Sequence, residues 1–397
     1  MFHVKQRRRL AGLVGLLALS LLVLSCSRAA GSRGWAAPVP LGALVLISTS
    51  KGHLTAINAT SRAQLWRYPD CWEVNEKGAR SLSGIYGAPV VSRDNQTVFL
   101  GDYSGYVHAF NVRNYDCQSS AERPRSGAFK LDDHIIGGVA LDASSENLYV
   151  TAGHRLYAIR ARDLISRIEN NEADVQLTEV FEAGKDIWST PVVTSTGILI
   201  SSVDGNLYMI DASGKETWRY SAGGALASTP VISGGTNGLV LVGGFEGVLH
   251  AVDLASGQER WTFKASNWVW SSPLVDGGRA YFGDFDGKLY AIDVSSGKEA
   301  WSLKLGKGAI RSAPALASGT LVVATESGWL IGVDPGGQST KWETKIETGI
   351  AADLTVRSDT VLIAPRGCVK VGESDTKTYY AGVDPRTGSL TQASGVC

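Results

Sequence analysis

Cysteine is scarce in this 397-residue chain, with five in all, none adjacent to another and none in a CxxC or CxxCH spacing. That excludes paired-thiol zinc ribbons, a thioredoxin-type redox site and covalent haem. Neither sign of charge is in excess, with Lys and Arg at 38 and Asp and Glu at 38. Without a basic footprint, nucleic acid is not an expected partner. No Gly-x-Ser-x-Gly, HExxH or phosphate-loop motif occurs, so nucleophile-elbow, zincin and nucleotide chemistry have no support. Long apolar runs are missing except for one, Leu10 to Leu24, which follows Lys5, Arg7, Arg8 and Arg9. It is too short and wrongly flanked to span a membrane, and behind that basic n-region it reads as a secretory signal.

Val23-Leu24-Ser25-Cys26 closes the run and resembles a bacterial lipobox, in which the cysteine is lipidated and becomes the first mature residue. It departs from the commonest form, which has leucine three before the cysteine and a small residue two before it. Ordinary cleavage near Ala29-Ala30 is the alternative. The expected organisation is a lipoprotein-type signal over 1–26, a flexible tether over 27–34 (SRAAGSRG) and one folded domain over 35–397. Acyl chains on Cys26 would hold such a protein on a membrane without a spanning helix.

The rest of the chain is a repeat. Its cleanest copies are NLYMIDASGKETW (206–218), VLHAVDLASGQERW (248–261) and KLYAIDVSSGKEAW (288–301). Ahead of each unit's strands stands a small residue followed by proline and an apolar residue, as in STPVV (189–193), STPVI (228–232), SSPLV (271–275) and SAPAL (312–316). The interval from that proline to the turn glycine is fourteen for Pro38 to Gly52, Pro191 to Gly205, Pro273 to Gly287 and Pro314 to Gly328. Pro89 to Gly105 and Pro230 to Gly247 are two and three longer. Gly138 to Gly153, at fifteen, and Asp353 to Gly367, at fourteen, keep the phase without the proline. Eight units result, near 35–85, 86–134, 135–187, 188–226, 227–269, 270–310, 311–349 and 350–397. A period of that order, roughly forty to fifty residues, means a propeller or a solenoid.

Within a unit, apolar and polar alternation, β-branched content and Gly/Asp/Ser punctuation predict four short strands. Four strands repeated about an axis make a propeller blade, so the expected fold is all-β, an eight-bladed β-propeller. The Asp-to-Trp interval is eight for Asn58 to Trp66, Asp253 to Trp261, Asp293 to Trp301 and Asp334 to Trp342, and seven for Asp211 to Trp218. A fixed spacing between a turn and a large ring is what blade-to-blade packing requires. Trp66, Trp218, Trp261, Trp301 and Trp342 are therefore expected to be structural docking residues.

The Ala-x-Asp-x-x-x-Gly-x-x-x-Trp run in AVDLASGQERW and AIDVSSGKEAW resembles the tryptophan-docking repeat of the PQQ-like, or quinoprotein-type, β-propellers. The match covers about residues 35–395 and is specific for the fold rather than for an activity. Among the relatives it implies, the BamB-like envelope lipoproteins agree best with the signal and lipobox. The resemblance then implies an accessory role in inserting outer-membrane β-barrels. Quinoprotein enzymes of the family carry an adjacent Cys-Cys pair over the quinone, an acidic base, a calcium held by Glu, Asn and Asp, and long insertions. No Cys-Cys pair exists here, and Asn58 and Asn111 fall in the aspartate slot of the repeat. Neither PQQ nor calcium is expected as a cofactor, and no metal ligands or catalytic residues are assigned.

An exported chain favours paired cysteines. Of three possible connectivities, Cys71–Cys117 with Cys368–Cys397 keeps each bridge local. For recognition, the segment leading into the innermost strand and the turn between the second and third strands are expected on one face around the channel. Three before the proline stand Trp35, Tyr86, Trp188 and Trp270, with Arg311 in the seventh unit. The turns add Asp102, Asp204, Glu246, Asp284, Asp286 and Glu326. Aromatics anchor interfaces and polar groups orient ligands, so this collar is the candidate partner or ligand face; packing across a narrow channel mouth is the plainer reading. His108 and His250 occupy the slot of Tyr157, Tyr208 and Tyr290, and read as repeat variants rather than ligands. Insertions around 67–85, 112–134 and 160–186 stretch the first three units, the last of them a short helix or a solvated excursion. The expectation is an exported, lipid-anchored, monomeric propeller that binds an envelope protein complex. A solute-binding or sensory propeller and a PQQ-dependent dehydrogenase are the alternatives.

Overall fold

Every unit of the repeat folds into four short antiparallel strands joined in sequence order, and among the described residues no strand is exchanged between units. The computed structural model describes residues 34–392 apart from 35, 50–51, 70–81, 113–124, 171–172, 236–237, 337–338, 371–376 and 379. Blades 1 to 8 span residues 39–68, 90–130, 139–182, 192–221, 231–264, 274–304, 315–345 and 355–392, and together form the eight-bladed β-propeller that the repeat count predicts. Blade 8 carries an extra hairpin, Val369–Lys370 with Lys377–Thr378, between its second and third strands.

Apolar side chains are not gathered into one core but into clusters between neighbouring blades, which is why the middle strands depart from simple alternation. In the third strand of blade 6, Leu289 and Ala291 pack toward blade 7 while Tyr290 and Ile292 pack toward blade 5. With both faces covered, this strand is apolar at each of its four interior positions, Leu289 to Ile292. The fourth strands lie at the rim with one face in water and do alternate, as in Glu216–Ser221 and Thr340–Lys345. The ring closes by the same means: Val45, Ile47 and Ile57 of blade 1 pack against Ala352, Leu362, Ala364 and Tyr380 of blade 8. Arg357 adds a hydrogen bond to the Gly42 carbonyl across that seam at 2.9 Å.

Four tryptophans tie consecutive blades in one way. The indole N–H donates to a turn carbonyl of the next blade: Trp218 to Leu254 at 3.1 Å, Trp261 to Val294 at 2.8 Å, Trp301 to Pro335 at 3.0 Å and Trp342 to Pro385 at 2.8 Å. The indole also lies on the turn glycine. A Cβ on Gly297, whose φ is +69°, would sit 2.6 Å from the Trp261 ring, so glycine is needed for conformation and for clearance at once. The preceding aspartate caps that turn, Asp253 accepting from the Ser256 N–H and hydroxyl, and the Arg260 guanidinium at 2.8 Å lowers its carboxyl to about 2. Trp66 is buried in the cluster between blades 1 and 2.

Blade 2 has no such tryptophan, and the third insertion supplies the substitute. Helix α1, Ala161–Glu169, buries Ala161, Leu164 and Ile168, and these pack with Phe129 of the rim strand of blade 2. Arg167 donates to the Ala128 carbonyl at 3.2 Å and lies 5.4 Å over the Phe129 ring. Around the channel hydroxyls link the small residues before the prolines to the neighbouring blade, Ser271 Oγ donating to the Ser312 carbonyl at 3.0 Å and Ser201 Oγ, from the second strand of blade 4, to the Ser228 carbonyl at 2.7 Å.

One phase differs from the sequence reading. Thr355 pairs with Leu362 as Ala315 pairs with Val322 and Leu274 with Tyr281. Leu354 therefore takes the slot of Pro273 and Pro314, and Asp353 stands one place earlier. Counting back from Gly367 missed this because blade 8 does not keep the turn length of its neighbours. Cys368 is disulfide-bonded. Cys26, Cys71, Cys117 and Cys397 lie outside the described residues, and with them the expected pairing and lipidation site.

Candidate binding face at the channel mouth

Backbone hydrogen bonds join each turn between the second and third strands to the segment that leads into the same blade. Phe245 N donates to Ala225 O at 2.9 Å, Phe285 N to Trp268 O at 3.1 Å and Glu326 N to Ala309 O at 2.9 Å. Turn and lead-in thus share one face, and the channel opens there as a cavity of about 510 Å³. Tyr86, Trp188, Trp270 and Arg311 all line it. Trp35 lies outside the described residues.

The collar is larger than its predicted members. Trp188 stacks on Trp270 with centroids 5.9 Å apart, and Phe245 lies 6.2 Å from Trp188 and 5.3 Å from Trp270. Trp268 sits 5.1 Å from Phe245 and 5.4 Å from Phe285, while Phe285 stacks on Trp270 at 6.0 Å. Arg311 completes the group with its guanidinium 3.9 Å from the Trp270 centroid. These rings span blades 4 to 6, with the arginine from blade 7, and four of the five keep part of their surface in water, Phe245 being buried. A smaller group faces blades 2 and 3, Tyr86 against Tyr103 at 5.7 Å and Tyr103 stacked on His134 at 4.5 Å. Phe245, Phe285 and Tyr103 were legible in principle, since each stands two before a turn glycine in GGFEG, GDFDG and GDYSG.

Arg311 is held from both sides. Its Nη1 is 2.7 Å from Glu326 Oε1, which also takes Arg366 Nη2 at 2.9 Å. The Trp188 indole N–H is buried with no acceptor among the described residues; an unmade bond of that kind costs about 1–3 kcal/mol.

Only part of the predicted acidic collar faces outward. Asp102 and Asp284 are 2% and 0% exposed and cap their own turns. Asp284 accepts from the Asp286 and Lys288 N–H groups and from the Tyr290 hydroxyl at 2.8 Å. Asp102 pairs with His108 at 2.9 Å. Burial opposes charge on Asp102, but the His108 hydrogen bond and charge hold its carboxyl below the ordinary range. Asp204 is partly buried and takes the Tyr208 hydroxyl at 2.6 Å. In blade 5 the corresponding aspartate is Gly244, and His250 turns to the Tyr220 hydroxyl at 2.9 Å instead. Glu246 and Asp286 are exposed on the face, Asp286 accepting from Asn267 Nδ2 at 2.8 Å. Among the described residues no three His, Cys, Asp or Glu side chains converge as metal ligands would. A tricarboxylate such as PQQ would meet one cationic side chain among the described residues of the cavity wall, Arg311, already engaged by Glu326. The donor set does not fit that cofactor.

Fold, repeat and docking pattern define a PQQ-like β-propeller. The family described as outer membrane protein assembly factor BamB matches residues 203–363 and 286–394, the part of the ring that carries most of the aromatic collar. Among solved structures, BamB from Moraxella catarrhalis superposes with a TM-score of 0.55 at 14% identity, over 76% of this chain and 92% of that one. The computationally designed Ika8 protein gives 0.65 at 14% identity, over 88% and 97%. Sqt1 from Saccharomyces cerevisiae gives 0.63 at 11% identity, over 90% and 94%. At these identities the likeness is one of fold. No curated protein matches this chain in sequence.

Proposed function

We propose that the protein is a non-enzymatic binding scaffold of the cell envelope, exported by its 1–26 signal and anchored through lipid on Cys26. In a host with an outer membrane its role would be accessory to β-barrel insertion, as the BamB description of the matching family suggests. The observation that carries the reading is the ring cluster of Trp188, Phe245, Trp268, Trp270 and Phe285 with Arg311 at the channel mouth. Tryptophan and arginine dominate interface hot spots because they pair a large desolvated area with an oriented polar group. The unpaired Trp188 N–H adds a cost that does nothing for stability, as groups retained for recognition do.

Affinity capture of the tagged chain from its own membranes tests this. The wild type should bring down an envelope complex. Cys26→Ala should leave the membrane fraction, and Trp188→Ala/Trp270→Ala should stay anchored but lose the complex. A double variant that captures the same proteins as wild type would remove the collar from the interface.

A further inference from the structure

Eight equivalent positions, one per blade, ring the channel just inside the aromatic collar, from Ala37 in blade 1 to Asp353 in blade 8. Seven of them are Ala, Gly, Ser or Thr, and only Asp353 is charged. The fold does not require that charge. At the blade 4–5 junction Thr229 Oγ1 accepts the Thr190 N–H at 3.2 Å, and at the blade 7–8 junction Asp353 Oδ1 accepts the Ala313 N–H at 2.6 Å. A hydroxyl therefore serves where the carboxylate stands. The Asp353 side chain is exposed to the 510 Å³ cavity while blades surround it on every side. Arg311, the one cationic side chain among the described residues of the cavity wall, is engaged by Glu326 and by the Trp270 ring.

We propose that the channel binds a small organic cation, with its ammonium group on the Asp353 carboxylate and flanked by the rings of Tyr86 and Trp188. Those rings line the same cavity, and aromatic faces attract cations most where water is excluded. Thr190, Thr229 and Ser272, at the same ring level on blades 4 to 6, offer hydroxyls to a polar tail on the ligand. A cavity of 510 Å³ is within the range of small-molecule sites, roughly 300–1,000 Å³. Burial, opposed only by the Ala313 hydrogen bond, raises the Asp353 carboxyl above the ordinary carboxylate range. A cation whose own charge does not titrate should therefore bind more tightly as pH rises through that value. Tyr86 and Arg311 are the other ionisable groups on the described cavity wall, with Glu326 behind Arg311.

The test is calorimetric titration of the full chain in dodecyl maltoside with choline and with 3,3-dimethylbutan-1-ol, its uncharged isostere. Choline should bind once per chain and at least about tenfold tighter than the isostere, a ratio set by one charge-assisted contact. Asp353→Asn keeps an acceptor for the Ala313 N–H and should weaken choline by at least about tenfold while leaving the isostere unchanged. Equal affinity for the two probes, no choline heat up to about 10 mM, or wild-type choline binding by the variant would each overturn the proposal. Should the variant not fold, the comparison of probes on the wild type decides it. Either result leaves the protein-scaffold reading standing, because that reading is tested by capture of a protein complex and not by cation binding.

Discussion

Trp261 and Gly297 should be energetically coupled, because the indole occupies the space a Cβ would need. A tryptophan carries about 150–250 Å² of surface, worth roughly 4–6 kcal/mol at about 25 cal/mol per Å² if wholly buried. Trp261 is partly exposed, and its hydrogen bond to Val294 adds about 1 kcal/mol, so Trp261→Ala should cost about 3–5 kcal/mol. Gly297→Ala pays about 1–2 kcal/mol for a side chain at φ +69° and a further amount for pushing the ring off the turn. In the Trp261→Ala background the second part vanishes, since the new methyl enters the space the ring has left. Urea unfolding of the four proteins, followed by far-ultraviolet circular dichroism, should show the double variant less destabilised than the sum by at least about 1 kcal/mol. Additivity within about 0.5 kcal/mol would refute the claim that glycine is there to receive the ring.

Two further predictions concern the places where blades depart from the repeat. Burial, only partly offset by the Glu259 charge, lowers the His250 imidazole to about 4, against about 6.5 in the unfolded chain. Above pH 6.5 both states are neutral; between 6.5 and 4 only the unfolded state takes up the proton, so acidification removes of order 3 kcal/mol. His250→Phe should flatten the fall in urea midpoint over that window, and an unchanged slope would show that His250 does not cause it. Leu164 is fully buried between α1 and blade 2, so Leu164→Ala should cost about 2–5 kcal/mol and speed amide exchange in Ser126–Lys130. A change below about 0.5 kcal/mol would mean the helix is a surface excursion and not the substitute for a docked tryptophan.

Blade number and docking were legible because both depend on spacing that every copy must keep. The interval from Asp253 to Trp261 is held by the turn it crosses, and the ring must reach the Val294 carbonyl. What the residues did not disclose is how a side chain divides its bonds. Asp284 and Asp286 look alike in GDFDG, yet one is buried under Tyr290 and the other is exposed. Trp268 was missed because it falls outside the proline phase, in a lead-in segment whose path depends on the neighbouring blade. Asp353 was placed one position late because hairpin register, not turn length, sets which residue faces the channel.

The central claim, that the aromatic end of the ring is the working face, is tested most directly by photocross-linking in living cells. Benzoylphenylalanine replaces Phe285 on that face in one strain and Ser296, in an exposed turn at the opposite ends of the strands, in another. The account predicts discrete protein adducts from position 285 and none from 296, with the 285 adducts lost in the Trp188→Ala/Trp270→Ala background. Equal adducts from both positions, or adducts from 296 alone, would contradict it.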